Sequence, residues 1–581
     1  MDIKTAIPIG IESYKKIISG SYYYVDKTLL IRELLEYRSA VTLFTRPRRF
    51  GKTLTQSMLR TFFEEEIDAD GNTVDNSAYF TGKKILDAGA QYTGHMGKYP
   101  VVSLSMKSAK QPDFEMACDS LLDEIIREFD RHRYLLRSGR IAEDIKERYS
   151  AILAGKAGRA AYAKSLAFLS DCLEKYHRRK TIILIDEYDV PLENAYFKGF
   201  YSQMVDFMRS LLESALKTND SLQFAVITGC LRISRESIFT GLNNLKINSV
   251  LDESYSEYFG FMQDEVDSLL SFYGISQKED EVKEWYDGYL FGHTEVYNPW
   301  SILNYVEDIL SHNTEFPKPY WSNTSSNSII HELVVRAGSC TVQEIEHLLM
   351  GEAIEKPVHE DITYGDIHQS EDNLWNFLFF TGYLKTVRKR FEGRTIFIKM
   401  KIPNEEVMYI YENTIQEWFQ QKTRAADFSG LYHAILSGDT ESAENFLKKQ
   451  LRESISFMDS AEKFYHGFLL GLLGGLQDYR KKSNLESGNG RYDITLIPYD
   501  EQQPAVILEL KRAKKFTDME NLCLEALRQI EEKKYADALI EEGYPIILKY
   551  GICFCKKSCM VKLSGKTAGY QTCRATEKRD C

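Results

Sequence analysis

The stretch VTLFTRPRRFGKT, residues 41–53, decides how the first half of this 581-residue chain is expected to fold. Its first five residues form a short apolar run that predicts a buried strand, and helical spacing of apolar residues resumes after it. A strand, a loop ending in Gly-Lys-Thr and a helix make up the local architecture of a phosphate-binding loop. Backbone amides at the start of that helix, together with its dipole, would hold a phosphate group.

The side chains of this loop predict how the phosphates are held. Lys52 is expected to reach the β- and γ-phosphates, and the Thr53 hydroxyl is expected to ligate Mg²⁺. Arg46 stands five residues before Gly51, where the general pattern has glycine, and a side chain there restricts the backbone. Arg46 and Arg49 belong to a basic run that could compensate with positive charge. Gly-Lys-Thr is also common by chance, so the loop alone does not establish nucleotide binding.

A second signature lies at residues 182–187, where an apolar run ends in Asp186 and Glu187. Such a continuous β-branched run is typical of a parallel sheet covered on both faces. Its two carboxylates fit a Walker B pair, with Asp186 near Mg²⁺ and Glu187 positioned to polarise the attacking water. The alternative is an ordinary turn after a core strand, and Asp189 shows that carboxylates are frequent here. The two signatures in this order favour ATP binding, whereas hydrolysis depends on Glu187.

A third apolar strand, 222–228, ends at Thr228 and leads to Arg232 and Arg235. Thr228 could sense the γ-phosphate, and an arginine could stabilise charge in the transition state. An ordinary strand end with solvated arginines accounts for the same residues equally well. Strands alternating with helices predict an α/β domain with a parallel sheet and flanking helices over residues 1–300. Residues 301–425, with a predicted strand pair near 383–402, suggest a helical or winged-helix-like connector.

Residues 426–565 predict a second α/β unit with a candidate metal site. In the strand 506–511 (VILELK), alternation places Glu509 and Lys511 on the same face. Asp493 lies on an earlier strand. Carboxylates from adjacent strands, with a lysine nearby, can hold Mg²⁺ and orient a water against a phosphodiester. Glu and Lys also alternate on many exposed strands, but a carboxylate within an apolar strand needs a partner or a chemical role.

Two predicted helices could contribute to this second site. Upstream, Glu462 is followed one turn later by His466 on the same face, so Glu462 could add a metal ligand. Downstream, Gln529 lies on the helix that follows the Glu509 strand.

Composition excludes several classes of protein. The chain is 43% apolar and 27% charged with a net charge of −12, the profile of an ordinary globular protein and not of a basic nucleic-acid coat. Its longest apolar run, 468–476, is far shorter than the roughly 20 residues of a membrane span. The first residues lack a secretory pattern, so we expect a cytoplasmic protein without a membrane partner.

The cysteines and the end of the chain leave alternatives open. Ten cysteines without C-x-x-C spacing favour free thiols over disulfides or a zinc site. From residue 549 to the end, the chain contains eight Lys and Arg but only two acidic residues. The basic tail 566–581 could therefore bind a phosphate backbone, or it could simply be exposed to solvent.

Longer motifs along the chain resemble the bacterial AAA-ATPase-like proteins that carry a C-terminal PD-(D/E)XK nuclease-superfamily domain. The resemblance spans about residues 7–565. Its motifs include YYYVDKT (22–28), RPRRFGKT (46–53), LIDEYDVPL (184–192), ITGCLRISRESIFTGLNN (227–244), WYDGYLFG (285–292), EKFYHGFLLGLL (462–473), ESGNGRYDITL (486–496) and ILELKRAK (507–514).

The resemblance implies a restriction-endonuclease-like fold for the C-terminal domain. It also implies that arginine instead of glycine at position 46 is usual in the family. It implies nucleotide roles for Lys52, Thr53, Asp186 and Glu187, and nuclease roles for Asp493, Glu509 and Lys511. The resemblance supports a nuclease role for Glu462 more weakly. Gln529 and Tyr535 resemble a Gln/Tyr pair of some nucleases in the superfamily, with a different spacing.

We therefore expect a Mg²⁺-dependent ATPase joined to a nuclease-fold domain that cleaves or handles nucleic acid, either DNA or RNA, and that could form a homo-oligomer. One rival is a regulatory NTPase whose nuclease-like domain only binds a partner. Another is an ATPase that acts on protein substrates.

Overall fold

The computed structural model describes residues 5–68, 70–217, 219–232, 238–239, 243–311, 316–321, 330, 339–360, 364, 370–423, 428–454, 462–483, 486–487, 490–491, 493–555 and 557–568. The chain divides into two compact units. The first comprises Met1–Ser325 and Glu355–Met408, and the second comprises Ser326–Ile354 and Tyr409–Cys581. Parts of the predicted connector, 301–425, thus belong to each unit.

The core of the first unit is a five-stranded sheet in which every neighbouring pair is parallel. Two of its strands are buried along their whole length, and apart from Asp186 their residues are apolar or β-branched. The predicted P-loop-type α/β fold is confirmed. In spatial order the strands are Val101–Ser105, Thr181–Asp186, Leu222–Gly229, Val41–Thr45 and Leu245–Asn248.

Because the strands run in the same direction, the ends that carry Asp186, Thr228 and the phosphate loop meet at one edge of the sheet. The first and last strands in this order were not identified from the sequence. Both are only four or five residues long.

Helices surround this sheet, and their ends follow local capping rules. Asn298, for example, accepts a hydrogen bond from Trp300 N at 2.9 Å and so caps the helix that opens with Pro299. The α-helices of this part are Tyr14–Ser19, Leu30–Tyr37, Lys52–Phe63, Ala90–Thr93, Phe114–Arg131, Glu143–Leu153, Arg159–Tyr162, Ser165–His177, Val190–Lys198, Tyr201–Leu216, Gln263–Tyr273, Glu279–Tyr286 and Pro299–Leu310. Two short antiparallel pairs are Glu66–Ile67 with Thr73–Val74 and Tyr289–Phe291 with Thr294–Val296.

The edge strand Val101–Ser105 has its outward backbone groups bound by side chains of the following helix. The amide of Ser103 donates to Glu128 Oε1 at 2.7 Å. The carbonyl of Val101 accepts from Arg131 Nη2 at 2.6 Å. Side chains thereby replace the neighbouring strand that this edge lacks.

A three-stranded sheet also belongs mainly to the first unit, in the order Ile354–Val358, Thr395–Lys401, Lys385–Glu392. The last two strands form the antiparallel pair predicted near 383–402. The helix Glu371–Thr381 precedes them and ends at Gly382, whose φ of 95° is one that glycine adopts readily.

The second unit is built on a five-stranded mixed sheet, in the order Tyr479–Ser483, Ile494–Pro498, Ala505–Arg512, Ile546–Cys555, Ser558–Ala568. Only the third and fourth strands pair in parallel. Its helices are Ser339–Leu349, Ser429–Ser437, Thr440–Ser454, Glu462–Leu472, Met519–Glu532 and Asp537–Glu541, and Glu405–Thr423 runs into it from the first unit. The predicted helix that carries Gln529 is Met519–Glu532, and Lys534, with a φ of 55°, separates it from the short helix Asp537–Glu541.

Helices cover both faces of this sheet. On one face Ile507 packs with Leu527 and Ile530 of the helix Met519–Glu532. On the other face the ring of Phe554 stacks on Tyr465, with 4.3 Å between ring centroids. The predicted second α/β unit is confirmed.

Candidate functional site

The phosphate loop lies between the strand Val41–Thr45 and the helix Lys52–Phe63. Two of its residues, Arg49 and Gly51, have φ angles of 70° and 80°. Left-handed residues in such loops turn successive amides toward one concavity, and glycine adopts this conformation without strain. The amides of the first helical turn also lack an acceptor within the helix. The loop therefore has the backbone geometry of an anion site.

Lys52 and Thr53 lie at the mouth of this helix. Lys52 is buried, and its Nζ donates to the carbonyls of Arg46 at 2.9 Å and Pro47 at 2.8 Å. The Thr53 hydroxyl donates to Asp186 Oδ2 at 2.7 Å. The ammonium group thus lies inside the loop, and the threonine joins the loop to the neighbouring strand.

The second predicted motif meets the first at Asp186. Its other oxygen, Oδ1, accepts from the Thr228 hydroxyl at 2.6 Å. Glu187 follows with a φ of 53°, and burial raises the pKa of its carboxyl group, although Lys52 opposes that shift. Thr53, Asp186 and Thr228 therefore form one hydrogen-bonded group, with Lys52 close enough to influence Glu187.

In the second unit the predicted carboxylates also approach one another. Asp493 Oδ2 accepts from the amide of Leu510 at 2.8 Å, which holds it beside the Glu509 strand. Glu509 is buried, and its Oε1 lies 3.9 Å from Lys511 Nζ. His466 Nε2 lies 2.8 Å from the carbonyl oxygen of Asp493. The structure thus brings Asp493, Glu509 and Lys511 together.

These two sites agree with comparisons against known proteins. Residues 8–239 match the profile of a family described as a predicted AAA-ATPase. Residues 460–563 match the profile of the PD-(D/E)XK nuclease superfamily. The chain joins an AAA-ATPase-like domain to a nuclease-superfamily domain. A protein of Azotobacter chroococcum described as an uncharacterized protein in the vnfD 5′ region is 26% identical over 564 residues, which cover 93% of this chain and 95% of that protein.

Arg46 of the AAA-ATPase-like domain does not contribute its charge to the phosphate loop. Its side chain is fully buried, and Nη1 donates to the carbonyls of Thr45 at 2.9 Å and Asn248 at 2.8 Å. The guanidinium also lies over the rings of Phe259 and Phe291, at 5.2 and 5.0 Å from their centroids. Arg46 is not among the described residues with a positive φ, so the loop can dispense with glycine there.

The neighbouring arginines contact side chains around the loop. The guanidinium of Arg49 lies 4.2 Å from the ring centroid of Trp300. Arg48 forms an ion pair with Glu193 on the helix that follows the Walker B motif. Arg49, predicted to bind the cofactor, therefore occupies the rim of the site through a cation–π contact.

Arg232 is one of the two arginines predicted to stabilise charge in the transition state. Its Nη1 lies 2.9 Å from Glu360 Oε2, a residue of the discontinuous part of the first unit. Arg235 lies outside the described residues. Glu360 therefore forms an ion pair with one of the two arginines that could stabilise transition-state charge.

Two residues near the loop were overlooked as positioning groups. Asp189, considered only as a background carboxylate, accepts from the amides of Cys230 at 2.7 Å and Leu231 at 3.1 Å. Gln56 is buried and donates to the carbonyls of Ile185 at 3.3 Å and Val226 at 3.2 Å. Asp189 thus holds the backbone that follows the Thr228 strand, and Gln56 joins the phosphate-loop helix to the two strands that carry Asp186 and Thr228.

A cavity of about 90 Å³ lies beside the phosphate loop. Gly51 and Leu54 line it on one side, and Tyr23, Phe261 and Leu303 contribute to its apolar wall. Tyr23 belongs to the YYYVDKT motif, to which residue chemistry alone gave no role. The cavity adjoins the helix start and is mainly apolar.

Gln529 and Tyr535 of the nuclease-superfamily domain join the second site despite their different spacing. Lys511 Nζ donates to Gln529 Oε1 at 2.7 Å. Gln529 Nε2 in turn lies 3.4 Å from the Tyr535 hydroxyl. Burial raises the pKa of Tyr535, and the charges of Glu509 and Asp493 add to that shift. Gln529 therefore orients the lysine.

The described residues contain no cluster of three or more His, Cys, Asp and Glu side chains arranged to hold a metal. The predicted ligand Glu462 begins a helix, but its side chain lies outside the described part of the chain. Asp493 and Glu509 offer carboxylate oxygens, and Thr53 and Asp186 offer a hydroxyl and a carboxylate, the donor types that Mg²⁺ prefers. Within the described ranges no helix is both long enough and apolar enough to cross a bilayer.

Proposed function

We propose that the AAA-ATPase-like domain binds Mg·ATP and hydrolyses it. The observation that carries this proposal is the convergence of the Thr53 and Thr228 hydroxyls on the two oxygens of Asp186. The loop amides and Lys52 supply positive potential beside this group. Such an arrangement suits a triphosphate with its metal ion.

The described residues have distinct roles in this proposal. Lys52 Nζ exchanges the carbonyls of Arg46 and Pro47 for phosphate oxygens. Thr53 and Asp186 would hold Mg²⁺, which neutralises phosphate charge when bound. The carboxylate of Glu187 orients the attacking water and accepts its proton. The base occupies the apolar cavity next to Leu54.

The test of the ATPase proposal separates binding from turnover. Isothermal calorimetry with purified protein measures Mg·ATP binding, and phosphate release measures hydrolysis. We expect heat and turnover from the wild type, and neither from Lys52→Ala. Wild-type protein that gives no heat with Mg·ATP would refute this proposal.

We also propose that the nuclease-superfamily domain cleaves phosphodiester bonds in a metal-dependent reaction. Asp493 and Glu509 would hold the metal ion, which activates a water molecule when bound. Lys511 stabilises negative charge on the phosphate, and Gln529 keeps its ammonium group in position. The measurement is cleavage of plasmid DNA and of RNA with Mg²⁺ or Mn²⁺, comparing the wild type with Glu509→Ala.

ATP turnover and cleavage are expected to be coupled, since one chain carries both sites. ATP would then change the cleavage rate of the wild type but not that of Lys52→Ala. Equal cleavage rates and equal ATP responses in the two proteins would contradict the coupling.

The rival function is a regulatory NTPase whose nuclease-like domain only binds a partner. The acidic net charge of −12 favours it, because acidic proteins repel nucleic acid. Wild-type protein that hydrolyses ATP but cuts neither DNA nor RNA would support this rival.

A further inference from the structure

The antiparallel hairpin Lys385–Glu392 with Thr395–Lys401, here called the basic hairpin, differs in charge from the rest of the chain. Residues 385–401 contain seven Lys and Arg and one acidic residue, whereas the whole protein has a net charge of −12. The hairpin therefore concentrates positive charge on one small structural element of the first unit.

The register of the hairpin places like charges directly opposite each other. Lys385 pairs with Lys401, and Arg388 pairs with Lys399. Like charges at directly opposed positions destabilise an antiparallel pair. Burial lowers the pKa of Lys385, and the charge of Lys401 adds to that effect. Asp287 and Glu295 offset part of this effect at Lys385, and the pairs themselves still cost the hairpin stability.

Acidic neighbours neutralise only part of this charge. Arg390 binds Glu355 at 3.0 Å and also pairs with Glu392, while its guanidinium lies over the ring of Phe397. Arg388 and Lys399 are both exposed, and neither forms an ion pair with another residue in the described ranges. Hydrogen bonds from Arg390 lower the pKa of Glu355, and the charges of Lys399 and Arg388 help to lower it. Because the hydrogen bonds of Glu355 go to Arg390, the two opposed cations stay exposed to solvent.

An aromatic side chain lies near the tip of the hairpin. Phe391 is 75% exposed, an unusual state for a large apolar side chain, and it precedes the turn at Gly393. Arg394 in the same turn is also exposed. In the pairing register Phe391 lies on the face of the ribbon opposite to Arg388 and Lys399. A ribbon that exposes a ring on one face and cations on the other suits a polyanion that also presents stackable bases.

We propose that the basic hairpin binds nucleic acid, with Arg388, Lys399 and Arg394 on phosphates and Phe391 against a base or sugar. A two-stranded ribbon has dimensions that fit the major groove of DNA. The choice of nucleic acid over other polyanions rests on the nuclease function proposed above. The hairpin deepens that function by naming a contact surface on the AAA-ATPase-like unit.

The test measures binding without cleavage. Fluorescence anisotropy of labelled duplex DNA and of single-stranded RNA is recorded in EDTA, with the wild type and with Arg388→Thr/Lys399→Thr. Threonine retains strand propensity, and removing the repulsion should leave the unfolding midpoint equal or higher. We expect about tenfold weaker binding, and for duplex DNA a slope of log K against log salt that is shallower by about two.

The matched control is Lys156→Thr/Lys164→Thr, which removes two exposed cations elsewhere in the same unit. It should bind like the wild type. A hairpin variant that binds like this control overturns the proposal. If the double variant does not fold, Phe391→Ala/Arg394→Ala provides the same comparison.

The outcomes distinguish this proposal from the nuclease function. Binding that depends on the hairpin, without cleavage by the wild type, supports the hairpin and refutes the nuclease. Equal binding and equal cleavage by the wild type and the hairpin variants refute the hairpin alone. Wild-type protein that binds neither nucleic acid overturns the hairpin proposal, and hairpin-dependent binding to phosphatidylserine vesicles would then identify a membrane surface instead.

Discussion

The hydroxyl of Thr53 donates a 2.7 Å hydrogen bond to Asp186, although the two residues are 133 positions apart in the sequence. Thr228 occupies the other oxygen of the same carboxylate. The two hydroxyls fix the orientation of the carboxylate, and each of its oxygens keeps a further lone pair for a metal ion. Binding of a cation therefore requires little movement of the carboxylate, so the site is preorganised.

Replacing Lys52 by alanine should abolish nucleotide binding. Its ammonium group lies among the carbonyls of the loop, where the phosphates are expected. We expect Mg·ATP affinity and turnover to fall by at least about 100-fold, as when a preorganised charge donor is lost. Calorimetry and phosphate release measure the two quantities. Lys156→Ala, an exposed lysine, is the control, and equal losses in both variants would contradict the assignment.

Glu187→Gln should retain Mg·ATP binding but lose hydrolysis. Burial raises the pKa of Glu187 above its usual value, so the folded state binds this proton more tightly than the unfolded state does. The free energy of unfolding therefore falls as the pH rises from the pKa of Glu187 in the unfolded chain to its higher pKa in the folded protein. The variant should melt higher than the wild type at pH 8, by a margin that shrinks at lower pH. Glu147→Gln should show neither effect, and full turnover by Glu187→Gln would refute the role.

Restoring glycine at position 46 should harm the protein. Arg46→Gly removes two hydrogen bonds to carbonyls and the side chain that packs against Phe259 and Phe291. We expect a loss of unfolding free energy on the order of 3 kcal/mol. Arg38→Gly is the matched control, because Arg38 ends a helix with a φ of 50° and glycine relieves that strain. Urea unfolding that ranks Arg46→Gly at or above Arg38→Gly would contradict this account.

Glu509→Gln should remove metal-dependent cleavage while leaving nucleic-acid binding in EDTA intact. A loss of about 100-fold or more is expected, because the buried carboxylate is proposed to hold the metal. Gln529→Ala should give a smaller loss and a changed pH profile, since Lys511 loses its 2.7 Å partner. Glu525→Gln, on the exposed side of the same helix, is the control. Cleavage that survives Glu509→Gln would exclude this site.

Glu406 should make the stability of the first unit depend on pH. It is fully buried, accepts hydrogen bonds from the Ser301 hydroxyl and from Trp321 N, and burial raises its pKa to about 7. The usual pKa of a glutamate is 4.5, and below that pH the free-energy cost of ionising Glu406 is absent. The cost is complete above about pH 7, the raised pKa in the folded state. Wild-type stability should fall by roughly 3 kcal/mol across that window.

Glu406→Gln should flatten this pH dependence, which melting curves from pH 4 to pH 8 would measure. Glu405→Gln, the neighbouring residue in the same helix, is the control. A wild-type curve without a decline over this range would refute the prediction.

The sequence predicts the strands and site residues that local patterns define. Asp186 and Thr228 end long apolar runs, so their meeting at one sheet edge follows from the parallel order of the strands. The short strand Leu245–Asn248 has no long apolar run, so the sequence does not predict it. The carbonyl of its last residue, Asn248, nevertheless binds Arg46.

Side-chain directions could not be predicted in the same way. Nothing in the run RPRR distinguishes Arg46, which enters the core, from Arg49, which stacks on Trp300. Apart from the carbonyl of Thr45, their partners lie at least 202 residues away in the chain, so the outcome depends on tertiary packing. The partner of Gln529 is another example. Its spacing to Tyr535 differs from that of the Gln/Tyr pair, yet the helix presents Gln529 to Lys511.

The bound edge at Val101–Ser105 limits how copies of this protein could assemble. Glu128 and Arg131 already occupy the outward amide and carbonyl, so a second chain cannot extend the central sheet on that side without displacing a buried ion pair. An assembly that forms on this side of the central sheet must then use helices or loops as its contact. The same side chains protect the edge from fibril-like pairing while the protein is crowded or newly made.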